Sequence, residues 1–164
     1  MKKPILILIP IFLFLQCGSS PKSINPSAKS TDFTLEQLGG GKITLSEQKG
    51  KVVLVDFWAT WCGPCRAAMP HLERMYNTYK DQELLVLGVS LDQDKAVIPA
   101  FVKNNNITYP ILYGDQQVAK AYDVQGIPTL VIFDKKGKLA FREVGFSDGN
   151  ISELENKVKE ILNQ

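Results

Sequence analysis

Residues 51–66 read KVVLVDFWATWCGPCR and contain the strongest fold signal in the sequence. The first eight residues form a nearly continuous apolar run of strand length. Such a run is typical of a strand buried on both faces, at the centre of an α/β sheet. From Cys62 to about Lys80, apolar residues recur at spacings of three and four, which predicts a helix. We therefore expect a buried strand that leads into a helix through two closely spaced cysteines.

The segments around this unit predict an alternation of strands and helices. Apolar and turn residues predict a hairpin at 33–45 with a turn at 39–41, strands at 83–91, 111–113, 129–133 and 139–146, and helices at 94–105, 116–122 and 151–162, the last capped by Asn150. Early strands that alternate with helices imply parallel pairing, and the late hairpin adds an antiparallel edge. The predicted fold class is α/β, with a central mixed sheet flanked by helices.

Composition limits the classes of protein that fit this chain. Its 164 residues, 45% of them hydrophobic, are enough for one domain with a core and a short appendage. Without Lys2 and Lys3, the 19 basic residues become 17, which equals the number of acidic residues. A chain with no net charge carries no signal for nucleic-acid binding.

The spacing of Cys62 and Cys65 restricts what the pair can do. A structural zinc site or an iron–sulfur cluster needs four ligands, and the only histidine is His71. Covalent haem attachment requires a histidine directly after the second cysteine, where this chain has Arg66. A structural disulfide gains little from closing a two-residue loop. A redox couple remains, and the sequence predicts no metal site.

A helix that begins at this pair would make Cys62 the nucleophile. Only a thiolate attacks a disulfide, and the free N–H groups and the dipole at a helix start stabilise negative charge. Pro64 fits the first turn, where its missing N–H is not needed. Cys65 lies one turn further on and should be more buried. We expect Cys62 to attack and Cys65 to resolve the mixed disulfide.

These motifs closely resemble the thioredoxin family. The chain has Asp56 in the strand, the sequence Cys-Gly-Pro-Cys, Pro70 five residues after Cys65, and Ile-Pro-Thr at 127–129 before a later strand. The resemblance covers roughly residues 31–162. The hairpin, an insertion at 93–114 with a helix and a short strand, and an export signal are similar to the extracytoplasmic TlpA/ResA-like branch. Many members of that branch have Glu where this chain has Gly63.

The resemblance implies a thioredoxin-like fold and assigns roles by position. Pro128 would be a cis proline facing the cysteines, the alternative being an ordinary trans proline that opens a strand. Asp56 would be a buried carboxylate that assists proton removal from Cys65, the alternative being a surface residue at a strand end. Trp58 is either a docking residue or plain core. The substrate surface would comprise Trp61, Gly63, Pro64, Ile127 and Thr129.

The N-terminus resembles a bacterial lipoprotein signal. Residues 1–16 contain two lysines and a short apolar run, which is too short to span a membrane. Cys17 closes this run and would carry the lipid, although Gln16 and Phe14 differ from the usual residues. The alternatives are an ordinary cleaved signal and an uncleaved anchor. Residues 17–30 are expected to be the lipid-anchor cysteine with a flexible tether, and residues 31–164 the folded domain.

The predicted function is that of a lipid-anchored thiol–disulfide oxidoreductase in the bacterial cell envelope, on the periplasmic or extracytoplasmic side. It would be a monomer without a bound cofactor, would reduce protein disulfides, including those of apocytochrome c by family analogy, and would draw electrons from a membrane thiol reductant. One alternative is a thiol peroxidase of the peroxiredoxin type, which needs a threonine near its cysteine; Thr60 is two residues before Cys62, not three. The other is a non-enzymatic binding module that uses the groove at Pro128.

Overall fold

The computed structural model describes residues 32–164. The predicted signal 1–16, Cys17 and the tether lie outside the described residues. In chain order, the elements of the described part are β1 (Thr34–Glu36), β2 (Lys42–Thr44), β3 (Val52–Trp58), α1 (Gly63–Tyr79), β4 (Leu84–Ser90), α2 (Val97–Asn104), β5 (Ile111–Tyr113), α3 (Gln116–Ala121), β6 (Thr129–Phe133), β7 (Leu139–Val144) and α4 (Asp148–Leu162). Within 32–164, no helix is both long enough and apolar enough to span a membrane.

The central sheet has the strand order β5-β4-β3-β6-β7. Strands β3, β4 and β5 are parallel, whereas β6 is antiparallel to β3 and β7 is antiparallel to β6. This arrangement confirms the predicted mixed sheet. Strands β1 and β2 form the predicted antiparallel hairpin, and the turn between them contains three consecutive glycines with positive φ angles, a conformation that glycine adopts without strain.

Strand β3 lies at the centre of the sheet, and all seven of its residues are buried. Alternate residues point to opposite faces. Leu54 and Trp58 pack with residues of α1, α2 and α4, whereas Val55 and Phe57 pack with the hairpin and α3. Strand β3 is therefore covered by a hydrophobic layer on each face, and α1 follows from its carboxyl end.

Two helices begin at positions other than those predicted. Helix α2 begins at Val97 instead of residue 94, because the Asp94 carboxylate accepts a hydrogen bond from the Ala96 backbone N–H at 2.9 Å and holds a turn before the helix. The prediction that Asn150 caps α4 was wrong. Ser147 is the cap, and its hydroxyl accepts a hydrogen bond from the Asn150 backbone N–H at 3.2 Å.

Candidate active site

Cys62 and Cys65 lie at the start of α1 and are joined in a disulfide, with their Cα atoms 5.3 Å apart. Cys62 is the N-cap residue of the helix, and Gly63 and Pro64 occupy its first two positions. Cys65 has no exposed surface, whereas 4% of Cys62 is exposed. The order of burial agrees with the prediction that Cys62 meets the substrate and that Cys65 lies behind it.

The backbone of α1 is arranged to stabilise charge on Cys62. The Cys65 backbone N–H donates a hydrogen bond to Cys62 Sγ at 3.1 Å. In the reduced protein, the same N–H and the positive end of the helix dipole would favour a thiolate at this sulfur. Cys65 is the third residue of the helix and not its N-cap, so its sulfur does not lie at the helix start. The geometry can therefore support an asymmetric pair, with Cys62 as the more acidic thiol.

The segment that precedes β6 lies beside Cys62. The Ile127–Pro128 peptide bond is cis, as the resemblance implied. The Ile127 carbonyl oxygen is 3.6 Å from Cys62 Sγ, a contact between two atoms that carry no proton in the oxidised protein. Pro128 itself is buried, and its carbonyl oxygen accepts a hydrogen bond from the Gly145 backbone N–H at 2.7 Å. The structure thus brings Cys62, Ile127 and Pro128 together.

Asp56 lies in the middle of β3, paired with Gly88 of β4 and Leu130 of β6. Its side chain has no exposed surface, and neither carboxylate oxygen has a hydrogen-bond partner among the described residues. Burial raises the pKa of Asp56 from 3.8 to about 8, because the charged form loses its hydration. The alternative of a surface carboxylate at a strand end is thereby ruled out.

Asp56 also lies in the same layer of the protein as Cys65. Leu54 and Trp58, two residues before and after it on the same face of β3, pack in one hydrophobic cluster with Cys65. With a pKa near 8, Asp56 is mostly protonated at neutral pH, and its ionised fraction can accept a proton.

The predicted substrate residues divide into exposed and buried ones. Trp61 is 70% exposed, and Gly63 and Pro64 are also exposed, so all three are accessible to a partner. The prediction that Thr129 contacts substrate is not supported: its side chain is completely buried, and its hydroxyl donates to the Gly126 carbonyl oxygen at 2.6 Å. Trp58 is completely buried, which makes it core and not a docking residue.

Asp92, which no sequence motif singled out, fixes the loop before Cys62. Its carboxylate accepts hydrogen bonds from the Thr60 backbone N–H at 2.9 Å, from the Thr60 hydroxyl at 2.7 Å and from the Ser90 hydroxyl at 2.8 Å. Asp92 follows β4 at the edge where the carboxyl ends of parallel strands meet, and that position was the available signal. The Thr60 hydroxyl therefore donates its hydrogen bond to Asp92 and not to Cys62.

Comparisons with known proteins agree with this site. The model of the AhpC/TSA family matches residues 26–142. Thiol-disulfide oxidoreductase ResA of Bacillus subtilis (strain 168) is 31% identical over 149 residues, which cover 84% of this chain and 83% of the relative. Thioredoxin-like protein YneN of the same strain is 38% identical over 125 residues, which cover 74% of this chain and 73% of the relative.

A solved structure extends the likeness to the fold. The crystal structure of a Chlorobium tepidum protein assigned as the thiol:disulfide interchange protein DsbE superposes with a TM-score of 0.79 at 32% sequence identity, covering 85% of this chain and 99% of that one. The predicted thioredoxin-like fold and the predicted enzyme class are confirmed. The chain is a thiol–disulfide oxidoreductase of the ResA type, and it belongs to the AhpC/TSA family.

Proposed function

We propose that this protein reduces disulfide bonds of other proteins on the outer side of a bacterial membrane, to which a lipid on Cys17 tethers it. The observation that carries the reaction is the position of Cys62 Sγ, which accepts the Cys65 backbone N–H at 3.1 Å and lies beside the Ile127 carbonyl oxygen. A nucleophilic sulfur stabilised by a helix start, next to a second cysteine, is suited to disulfide exchange.

The reaction begins with the reduced pair. The Cys62 thiolate attacks one sulfur of the substrate disulfide, and the other substrate sulfur leaves as a thiolate and takes up a proton. Cys65 then loses its proton and attacks Cys62 Sγ. The second substrate sulfur is released as a thiolate. The substrate has gained two electrons from the cysteine pair and two protons, one equivalent to the proton that Cys65 gives up and one from the solvent. The enzyme is left with the Cys62–Cys65 disulfide that the structure contains.

Asp56 is the proposed base for the second step. It would take the Cys65 proton, directly or through a water, when Cys65 attacks the mixed disulfide. The raised pKa of about 8 supports this role, because a base works best when its pKa is near the working pH.

The partner would dock over the start of α1. Trp61, Gly63 and Pro64 supply an exposed surface around Cys62, and Ile127 borders it from the other side. By resemblance to the thioredoxin family, the backbone next to Pro128 would pair with the substrate chain.

The direction of electron flow rests on the resemblance. Gly63 and Pro64 form the same dipeptide as in the reducing thioredoxins, which favours reduction of substrates over oxidation. A reductase in an oxidising compartment requires a membrane thiol reductant as electron donor. Apocytochrome c, with its paired cysteines, is the substrate class that the ResA-like resemblance favours. The protein would act as a monomer, without a cofactor or nucleic acid.

The test is a pair of measurements on the full chain in detergent. We expect catalysed reduction of insulin, and a reduction potential near the approximately −270 mV of thioredoxin and not near the approximately −120 mV of a dedicated oxidant. A potential close to the oxidant value, with no reduction of insulin, would reverse the proposed direction. For the substrate class, a C-x-x-C-H peptide should be reduced faster than a disulfide peptide of the same length without the histidine.

The peroxidase alternative finds no support at Thr60. Its hydroxyl donates to the Asp92 carboxylate, so it is not the threonine that a peroxidatic Cys62 would require. Consumption of hydrogen peroxide at no more than the rate of an ordinary thiol is the expected result.

A further inference from the structure

Three buried side chains in one layer of the protein, that of Asp56 and two others, have polar atoms that lack a hydrogen-bond partner. Within the described part of the chain, the set of such atoms consists of both Asp56 carboxylate oxygens, Trp58 Nε1 and the Tyr109 hydroxyl oxygen. Buried polar groups in native proteins are almost always hydrogen-bonded. Asp56 and Trp58 lie on the same face of β3, whereas Tyr109 comes from the segment between α2 and β5, so the fold brings it into this layer.

The geometry at Gly88 shows that these side chains converge. Gly88 is the residue of β4 in register with Asp56, and the two face the same side of the sheet. A Cβ atom built on Gly88 would lie 2.6 Å from Ile111 Cδ1, 3.0 Å from Tyr109 Cε2 and 3.1 Å from Trp58 Nε1. The indole N–H and one edge of the tyrosine ring therefore lie above Gly88, on the face of the sheet that also carries the Asp56 side chain.

The charge of Asp56 affects the pKa of Tyr109. Burial raises the pKa of Tyr109 well above 10, and the negative charges of Asp56 and Glu73 raise it further. The Tyr109 hydroxyl thus stays protonated and remains a donor throughout the physiological range. Glu73 of α1 accepts hydrogen bonds from the Thr108 backbone N–H and hydroxyl, which fixes the segment that carries Tyr109 against the helix.

The chemistry of the three groups is complementary. An ionised carboxylate only accepts hydrogen bonds, an indole N–H only donates one, and a tyrosine hydroxyl can donate one. A carboxylate that forms in a dry layer is unfavourable unless donors reach it. We propose that the Tyr109 hydroxyl is the donor that stabilises the Asp56 carboxylate during resolution of the mixed disulfide, directly or through one internal water, with Trp58 Nε1 as a second donor.

Tyr109 is then a positioning residue, since it acts on Cys65 through Asp56. The inference rests on the proposed role of Asp56 as the base. The titratable groups that face the Tyr109 hydroxyl are Asp56 from β3 and Glu73 from α1, and the ring of Tyr76 from α1 packs edge-on against Tyr109 with centroids 6.2 Å apart. Tyr76 is a matched control, because it carries the same hydroxyl on the same layer.

The experiment measures the carboxyl pKa of Asp56 by ¹³C NMR in the oxidised full chain, with Asp labelled at the side-chain carboxyl. Loss of a donor to the charged form raises a carboxyl pKa. Tyr109→Phe should raise the Asp56 pKa by about one unit, the size expected for one hydrogen bond to a charged group. Tyr76→Phe should leave it unchanged. An unchanged Asp56 pKa in a folded Tyr109→Phe protein would overturn the proposal.

Kinetics supplies the second arm. With the pKa moved up by one unit, the ionised fraction of Asp56 at pH 7 falls about tenfold, so resolution by Tyr109→Phe should slow by up to about tenfold. The difference in resolution rate between wild type and Tyr109→Phe should become smaller above the new pKa. A purely structural defect would not produce this pH dependence. If Asp56→Asn resolves the mixed disulfide at the wild-type rate, Asp56 is not the base. If Asp56→Asn is slow and Tyr109→Phe resolves it at the wild-type rate, Asp56 remains the base but the inference about Tyr109 fails.

A measurement on the unmodified chain covers the case in which Tyr109→Phe does not fold. The ¹³Cζ shift of labelled Tyr109 should show an inflection at the Asp56 midpoint of about 8, far below the titration of the tyrosine itself. A flat Tyr109 signal across that range would overturn the proposal.

Discussion

Replacement of Asp56 by Asn gives two linked predictions, one on rate and one on stability. The Asn side chain keeps the shape of the carboxyl group but cannot accept the Cys65 proton. We expect resolution of the mixed disulfide to slow by about 10²-fold or less, the lower part of the range for a lost general base. Attack by Cys62 on the substrate should keep its wild-type rate, because that sulfur is activated by α1.

The stability effect follows from the pKa of the buried carboxyl. It is about 8 in the folded protein and near 3.8 in the unfolded chain. Below about pH 4 both states hold the proton, and Asp56 makes no difference. Between these values the unfolded chain releases a proton that the folded protein retains, so stability falls as pH rises, by about 1.4 kcal/mol per unit. At pH 7 the loss reaches about 4 kcal/mol.

Asn does not ionise, so the variant escapes this loss. The free energy of unfolding of Asp56→Asn minus that of wild type should grow from near zero at pH 4 to as much as about 4 kcal/mol at pH 7. Urea unfolding of the oxidised proteins at pH 4, 5.5, 7 and 8.5 measures it, and stopped-flow mixing with a disulfide substrate measures the rate. Parallel stability profiles and equal rates would remove Asp56 from the mechanism and make it a structural residue.

The remaining predictions concern the cysteines and Thr60. Cys62→Ser should abolish disulfide exchange, whereas Cys65→Ser should accumulate mixed disulfides visible on non-reducing gels; faster alkylation of Cys65 than of Cys62 near neutral pH would reverse their roles. Cys17→Ser should release the protein from membranes or block its processing, and a wholly soluble wild type that begins beyond Cys17 would contradict the lipid anchor. Thr60→Val should lower stability by about 1–2 kcal/mol through its lost bond to Asp92, with insulin reduction retained. Loss of peroxide consumption in Thr60→Val would instead favour the thiol peroxidase alternative.

The elements that could be predicted from sequence are those with a local and repeated signal. Strand β3 is a nearly continuous apolar run of 7 residues, helix α1 shows the helical hydrophobic period over 17 residues, and the Cys-Gly-Pro-Cys motif lies at their junction. The glycine turn of the hairpin is similarly local. For this reason the pair Cys62 and Cys65, the central strand of the sheet and the order of the elements along the chain could all be predicted without coordinates.

Helix starts were less predictable, because several polar residues compete for the cap. Both Ser147 and Asn150 are good N-caps, and the structure selects Ser147, whose hydroxyl accepts the N–H three residues later. In α2, Pro99 is compatible with the helix because it occupies the third position of Val97–Asn104, in the first turn, where a missing N–H removes no helical hydrogen bond.

Contacts between distant segments were beyond the reach of the sequence. Tyr109 follows α2 in a loop with no periodicity, and its place above Gly88 depends on Glu73, which holds the adjacent Thr108 from 35 residues away. The burial of the Thr129 side chain could not be predicted for a similar reason: a position in a motif does not show whether a side chain faces the solvent or the sheet. Asp92 acquires its role only when the ends of β3 and β4 meet.

Asp56 is the case in which a departure from the local pattern carried information. Every other residue of β3 is hydrophobic and buried, and an apolar residue would also pack at this position. A buried carboxyl without a partner among the described residues weakens the folded state as soon as it ionises. Residues that oppose the local rule in this way are expected at functional sites, because a stability loss is retained only where it serves a reaction. The sequence alone therefore predicted a functional Asp56, and the structure adds two residues in the same layer, Trp58 and Tyr109, whose unpartnered polar atoms are the donors proposed for that carboxyl.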